Sequence, residues 1–337
     1  MTIQIDQKLG EEHPTLKLGV IGCGKHCVQS HITKIREDIG TSFTAVFDPS
    51  PNSIAELQSA ILGNPRIFQT EEELLLSPVP AVLIMSPDDF HAETLLHAVR
   101  AGKHVFVEKP LAVNSEQLNS VRDAMNQANT NNLIISSCHP RRFDPPFLWL
   151  KNNLPDLINE LGEVSHFEFD FSYHKPSKAW KNERGLLLDH INHEIDLVHW
   201  YFGHQPFTAW KLVDQPDHYH VVGMREDSIH FSFNGSRQLD SKVYREFVRI
   251  RFQRGTLLLD TNTGEINIHN HNLDTNINLK IPGIDYEKRF RLVNQNFIDA
   301  IRGDSQSYLS LKDLYVNTAL SVKLTEQDYW RYMGEDR

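Results

Sequence analysis

The sequence is poor in the features that mark exported, membrane-spanning or nucleic-acid-binding chains. Its 337 residues hold three Cys, at 23, 27 and 138. An odd and small set argues against a disulfide framework and suits a reducing compartment. No apolar run approaches the roughly 20 residues that a membrane helix needs. The first fourteen residues are polar and acidic and lack the apolar core of a signal peptide, which points to the cytoplasm. Positive charge is scarce too: 34 Lys and Arg stand against 44 Asp and Glu, for a net charge of −10. A chain that grips nucleic acid through phosphates carries the opposite balance. Neither nucleic acid nor a membrane is therefore an expected partner, and no internal repeat or low-complexity tract occurs.

What is there is long enough for more than one core. Over residues 15–138, short apolar strands alternate with helical stretches: Leu16 to Ile21, Phe43 to Phe47, a short strand near Ile67, Ala81 to Met85, Lys103 to Val107 and Leu133 to Ser137. The helices fall at His31 to Ile39, Ser53 to Leu62, the stretch ending at Arg100, and Ser115 to Ala128. This alternation predicts an α/β domain with a doubly wound parallel sheet, a Rossmann domain. From 139 to 337 the pattern changes. After a helix near Pro146 to Leu154, alternating runs predict strands at Val164 to Tyr173, Thr208 to Val213, Ser228 to Phe233, Tyr244 to Phe252, Thr256 to Asp260, Glu265 to His269 and Thr275 to Ile281. Asn234-Gly235, Arg254-Gly255 and Thr263-Gly264 read as the turns between them. A helix at Leu188 to Tyr201 interrupts the run, and a helical tail, Phe290 to Gln327, closes it. The expectation is an α+β domain with a large, open, mainly antiparallel sheet, preceded by the Rossmann domain and a polar tail over 1–14.

Chemistry-bearing residues cluster at the ends of the parallel strands, the edge where open α/β sheets bind ligands. Gly22-Cys23-Gly24-Lys25-His26-Cys27 follows the first strand and is nearly G-x-G-x-x-G. The first Gly permits a tight turn, the second admits a pyrophosphate, and the helix N-terminus favours its charge. Cys27 takes the third Gly's place as a small packed residue. Asp48 ends the second strand about 20 residues on, where such folds hold a ribose. No Lys or Arg follows it to receive a 2′-phosphate, which favours NAD over NADP. Glu108-Lys109-Pro110 ends the fifth strand. Alone it reads as a solvated strand end, but burial there can bring a Lys toward neutrality.

In the second half, Asp189, His193 and Asp196 share one helix face, so a carboxylate one turn away can fix the His tautomer, as a general base needs. No metal is expected. Cys23, His26 and Cys27 lack a second ligand pair, and His190-x-x-His193-Glu194 is not the order of zinc proteases. Between His174 and Arg184, Lys175, Lys178, Lys181 and Arg184 face one acid, Glu183, an unusual basic patch in an acidic chain.

These pieces, together with Ser86-Pro87-Asp88, His91, Arg142-Phe143 and Phe297 to Gly303, occur in one order. In that order the sequence resembles the Gfo/Idh/MocA family, the glucose-fructose oxidoreductase and inositol dehydrogenase group. The resemblance implies an NAD(P)-dependent oxidoreductase of sugars, inositols, sugar acids or nucleotide sugars. Lys109 and His193 would do the chemistry and Asp189 would hold His193. The implied cofactor contacts are Gly22, Gly24, Lys25, His26, Asp48, Ser86, Pro87, His91, Glu108, Lys109 and Arg142. Substrate would meet Lys109, Arg141, Trp180, Lys181, Arg184, Asp189, His190 and His193. It also implies a homodimer or homotetramer built through the open sheet face. An imine or biliverdin-type reductase, a hydrolase that retains NAD, and a non-enzymatic cofactor sensor are the rival readings on the same frame. The departures fall on the substrate side: Glu183 and Arg184 before Gly185, Ile191 where the family has Gly, and Asp88 for Asn.

Overall fold

The computed structural model describes residues 14–35, 40–61, 63–173, 185–237 and 245–333. The first half is the expected parallel sheet. Its strands are β1 (Leu16–Ile21), β2 (Thr41–Phe47), β3 (Arg66–Ile67), β4 (Ala81–Ile84), β5 (His104–Val107) and β6 (Ile135–Ser137). They run in the order β3-β2-β1-β4-β5-β6, so the chain reverses direction across the sheet between β1 and β4. That switch point opens a crevice at the carboxyl ends of the strands. β4 is buried at every residue, as a strand covered on both faces must be. The connecting helices include α2 (Pro51–Ala60), α3 (Glu71–Leu75), α4 (His91–Arg100) and α5 (Ser115–Asn131). Ser50, Thr70 and Asn114 cap α2, α3 and α5 by accepting a backbone N–H from the first turn.

The segment after β1 departs from expectation. A helix from His31 is predicted, but a π-helical turn over Cys27–Ile32 comes first and runs into a short α1 (Thr33–Ile35). Residues five apart, rather than four, come into line in such a turn. His26 and His31 are five apart.

The second half is a mixed sheet in the order β14-β13-β12-β11-β7-β10-β9-β8-β15. Its strands are β7 (Val164–Ser172), β8 (Phe207–Gln215), β9 (His218–Arg225), β10 (His230–Ser236), β11 (Arg245–Phe252), β12 (Gly255–Asp260), β13 (Glu265–Asn270), β14 (Thr275–Lys280) and β15 (Tyr329–Tyr332). Only β7 and β10 pair in parallel. β11 shows the alternation plainly, with Glu246, Val248, Ile250 and Phe252 buried and Arg245, Phe247, Arg249 and Arg251 exposed.

Two sequence readings fail here. Asn234-Gly235 is not a turn: β10 runs straight through it to Ser236. A side chain at Gly235 would lie 2.2 Å from the Tyr219 ring, so Gly makes room for a neighbour within the strand. β9 holds Gly223 for the same reason: a Cβ there would meet the Phe231 ring at 2.1 Å. The tail is also not one helix. α8 (Tyr286–Arg302) stops at Gly303, α9 (Leu311–Glu326) follows, and β15 returns to the sheet beside β8. The helix α6 (Pro145–Leu161) runs past its internal Pro155.

α7 (Gly185–Phe202) is buried on nearly every side. Phe167, Phe169 and Phe171 of β7 join Leu187, Ile191, Ile195 and Val198 of α7 in one core. Leu188 joins the other core, beneath the parallel sheet, with Leu314 and Val322 of α9. Full burial of a side chain of this size stabilises by about 1.5–3 kcal/mol. α7 is thus wedged between the two halves, and its first turns reach the carboxyl edge of β5. No helix among the described residues is long and apolar enough to cross a membrane.

Burial leaves several imidazoles around α7 uncharged. His139, His190 and His193 are pulled below the ordinary value by burial, and His199 is pulled down to about 3, by burial and then by His204. A group whose folded value is depressed contributes stability that is full above its unfolded value and is lost as pH falls toward the folded one. Unfolding free energy should therefore fall below about pH 6.5, by up to about 1.4 kcal/mol per pH unit for each such group. Denaturant melts between about pH 7 and about pH 4 should show this, with a smaller slope in His199→Phe. A slope equal in the two proteins would contradict it.

Candidate functional site

The site begins at the loop after β1. Gly22 has φ +87, and a Cβ there would lie 2.5 Å from the Ser86 amide, so no other residue fits. Gly24 differs: nothing lies within 4 Å of where its Cβ would be. The backbone there borders open space of the kind a pyrophosphate fills, and Lys25 and His26 are exposed beside it. Asp48 follows β2 and ties the loop down. Its Oδ2 accepts the Cys23 amide at 2.6 Å and its Oδ1 accepts the Ser50 amide at 2.7 Å. Each carboxylate oxygen keeps a lone pair for a ribose hydroxyl. These residues fit a dinucleotide. All three Cys are buried and free, and burial pushes Cys23 up to about 12 and Cys27 and Cys138 well above the thiol range. Cys27 is a packing residue.

The π-helical turn brings His26 and His31 onto one carboxylate. Glu108 Oε1 lies 3.2 Å from His26 Nε2 and 2.6 Å from His31 Nε2. His31 Nδ1 faces Asn294 Oδ1 at 3.0 Å, and His26 Nδ1 faces Ser30 Oγ at 3.1 Å. Burial would raise Glu108, but the two imidazoles outweigh it and hold the carboxyl well below its usual range. Among the described residues, these three are the group whose ligand atoms lie close enough, within 4.8 Å, to share an ion. The metal sets considered from sequence do not assemble among the described residues. His31, absent from the sequence-based candidates, is legible only once the turn is known to be π-helical.

At the end of β5 the Lys109-Pro110 bond is cis. Lys109 Nζ donates to the Asp189 carbonyl at 2.7 Å and to Asp189 Oδ1 at 2.8 Å. Burial lowers its pKa, but Asp189, Glu108 and Asp88 more than offset this and hold it above the ordinary range. The expectation of a Lys near neutrality is therefore corrected: Lys109 is a fixed cation. His91 braces the neighbouring turn. Its ring nitrogens lie 2.8 Å from the carbonyls of Pro110 and Ser86, so it reaches the site through those loops. Ser86 Oγ is buried without a partner, next to Pro87.

α7 supplies the other wall. Asp189 does not hold His193. Its Oδ2 accepts from Arg237 Nη2 at 2.8 Å while Oδ1 takes Lys109, and His193 Nδ1 has no hydrogen-bond partner. Two cations compete for the carboxylate, and a neutral imidazole cannot displace either. His193 instead packs edge-on to His139 and His190, each with ring centroids 5.4 Å away. Burial, then Arg141 and Lys109, drive it well below the usual imidazole range.

Several candidates turn inward. His190 stacks on Phe171 at 3.5 Å and bonds Glu194 Oε1 through Nδ1 at 2.8 Å. Arg141 pairs with Glu246 on β11, and Arg142 forks onto Asp196 at 2.9 and 2.7 Å. Arg141, Arg142 and His190 thus build the floor that supports Asp189 and His193. Trp180, Lys181 and Arg184, with the rest of the basic patch, lie outside the described residues. Sequence reasoning missed Arg237, because reading Asn234-Gly235 as a turn ended β10 three residues too early. In the parallel register Ser236 pairs with Ser172, which sets Arg237 beside Tyr173, and Arg237 Nε donates to the Tyr173 hydroxyl at 2.9 Å.

A parallel doubly wound sheet with a glycine turn after β1 and an acidic residue after β2 defines a dinucleotide-binding type of fold. Residues 16–135 match the model described as "Oxidoreductase family, NAD-binding Rossmann fold". The chain is similar to inositol 2-dehydrogenase of Corynebacterium glutamicum, with 29% identity over 192 residues, 56% of this chain and 55% of that protein. An uncharacterised oxidoreductase of Streptococcus pneumoniae is 26% identical over 268 residues, 73% of this chain and 68% of that one. The match thus spans about half the length of the inositol dehydrogenases. Two solved structures share the fold. Lactobacillus casei scyllo-inositol dehydrogenase with NAD(H) and scyllo-inositol has TM-score 0.75 and 19% identity, covering 94% of this chain and 99% of that one. A levoglucosan dehydrogenase with NADH and levoglucosan has TM-score 0.77 and 16% identity, covering 94% and 99%.

The charge of Lys109 is open to test without any substrate. Asp189→Asn removes the main opposing charge and leaves burial, so its pKa should fall. Acylation of Lys109 at neutral pH, followed by mass spectrometry, should speed up by about tenfold or more, the factor that one pKa unit confers on the free amine. Equal labelling rates in the two proteins would contradict the assignment.

Proposed function

We propose that the protein is an NAD(H)-dependent oxidoreductase that interconverts a secondary alcohol and a ketone on a sugar-like or inositol-like polyol. The observation that carries the reading is a fixed cation, Lys109, beside a neutral His193 at the carboxyl edge of β5. Gly22, Gly24 and Asp48 would hold the dinucleotide, with Lys25 and His26 at its phosphates. NAD is preferred because the 2′ position would face Asp48, whose oxygens already take two amides. A bound nicotinamide supplies the redox chemistry.

The chain's own residues do the rest. His193 Nδ1 is enclosed, leaving Nε2 as the nitrogen that takes the hydroxyl proton. Lys109 keeps one N–H beyond the two given to Asp189, and that donor stabilises the oxygen as charge develops on it. Asp189 keeps Lys109 charged and aimed. Reduction of the ketone runs the proton back from His193. The free, buried thiols suit a cytoplasmic setting. The outer face of the large sheet exposes Trp210, Leu212, Phe247, Leu258 and Ile277, which suits assembly of copies through that face.

NADH titration by fluorescence should saturate, and NADPH should bind at least about tenfold more weakly, the difference that one unpaired charge makes. Steady-state assays over inositols, sugars and sugar acids should show cofactor reduction. Lys109→Met and His193→Phe should each lower kcat by about 100-fold or more while NADH still binds. Near-normal turnover in both variants would overturn the assignment, and absence of binding by either cofactor would overturn the function.

A further inference from the structure

His31 has no part in the chemistry above, yet it is fully buried and bonded at both ring nitrogens. Nε2 lies 2.6 Å from Glu108 Oε1, and Nδ1 lies 3.0 Å from Asn294 Oδ1. Asn294 of α8 is itself fixed. Its Nδ2 donates to the Phe290 carbonyl at 2.7 Å, which turns Oδ1 toward His31. Phe106 and Phe290 pack against the imidazole, with ring centroids 5.2 and 5.8 Å away. Three separate segments, the turn after β1, the end of β5 and α8, thus meet at this one ring. His26 shares Glu108 Oε1 at 3.2 Å, but its side chain is 61% exposed while that of His31 is 0%. Water competes for the His26 contact and is kept from the other, so His31 is the firmer hold on the carboxylate.

The far side of Glu108 leads to Lys109. Glu108 Oε2 accepts the Lys109 amide at 3.1 Å. The charges that favour the Lys109 cation come from three elements: Asp189 on α7, Glu108 at the end of β5 and Asp88 after β4. Arg237 sits on the other oxygen of Asp189, and His139 and His193 are uncharged neighbours. Glu108 is faced in turn by His26, His31 and the Cys138 thiol. Burial works against a charge on Glu108, and the imidazoles outweigh it. Without His31, burial regains ground. Glu108 then takes up a proton more readily, Lys109 loses a neighbouring negative charge, and its own proton is held less firmly.

We propose that His31 is a positioning residue that acts on Lys109 through Glu108, clamping the carboxylate whose other oxygen holds the Lys109 amide. His31 touches neither the substrate nor the reacting atoms. Its part in catalysis rests on the oxidoreductase reading, but its hold on Lys109 is measurable without any substrate.

The test is acylation of Lys109 in the full chain at neutral pH, followed by mass spectrometry. His31→Phe should speed labelling by about threefold or more, where a whole pKa unit would give tenfold. His31→Gln, whose amide N–H can serve the same oxygen, should fall between the two. Glu108→Gln should speed labelling at least as much as His31→Phe, and adding His31→Phe to it should change nothing further. That comparison separates an effect carried by Glu108 from a general loosening, which would add in the double variant. Should His31→Phe not fold, Asn294→Ala, which frees the imidazole, carries the same comparison with a smaller acceleration expected. In turnover, the alkaline limb of kcat against pH should move to lower pH in His31→Phe, because Lys109 serves as a cation and now loses its proton sooner.

Labelling at the wild-type rate in both His31→Phe and Asn294→Ala would overturn the proposal. So would a full further acceleration in the double variant. Faster labelling in a protein that binds neither NADH nor NADPH would support the clamp and bring down the oxidoreductase reading alone.

Discussion

A buried ammonium has to be paired, and the pairing of Lys109 with Asp189 fixes most of what surrounds it. The two residues come from different halves of the chain, 80 positions apart, and meet at 2.8 Å. Lys109 stands where β5 ends, so α7 must present its first turn there. The same helix then meets Arg142 through Asp196, seven residues on and on the same face. Arg141 reaches across to Glu246 on β11, and Arg289 of α8 reaches Asp144 at the start of α6 at 2.7 Å. Buried ion pairs of this kind add little net stability over apolar packing, but breaking one leaves a costly lone charge. Their effect is to hold one relative placement of the parallel sheet, α7 and the mixed sheet.

That placement separates two electrostatic regions. At the glycine turn, Asp48 and Glu108 are negative and are satisfied by backbone amides and imidazoles. Beside it, Lys109 and Arg237 share the Asp189 carboxylate, and Glu108 and Asp88 add to the negative charge around Lys109. Local pairing, not overall charge, sets the chemistry of the cleft. It keeps Lys109 protonated where burial alone would have drawn it toward neutrality.

Much of this was legible in the sequence, and the parts that were not have identifiable causes. Strands β1, β4 and β5 stand out because their apolar runs end in Gly22, Ser86 and Glu108-Lys109-Pro110, which also mark the carboxyl edge. The apolar face of α7 is visible from Leu188, Ile191, Ile195 and Val198. Which partner Asp189 takes is not visible, because helical spacing places it near His193 and cannot report that Lys109 and Arg237 arrive from elsewhere. Gly235 was misread because the signal for a turn and the signal for a tight ring contact are the same residue. The π-helical turn left no mark in apolar periodicity, so the approach of His31 to Glu108 emerged only from the structure.

The central claim is that Lys109 and Asp189 act as one coupled unit across the two halves. A double-mutant cycle with Lys109→Met, Asp189→Asn and the combined variant, read by denaturant unfolding, tests it most directly. The account predicts that the double variant is less destabilised than the sum of the single variants, with a coupling of roughly 1–3 kcal/mol. Strict additivity would show that the two residues are neighbours without being partners, and the account would fail.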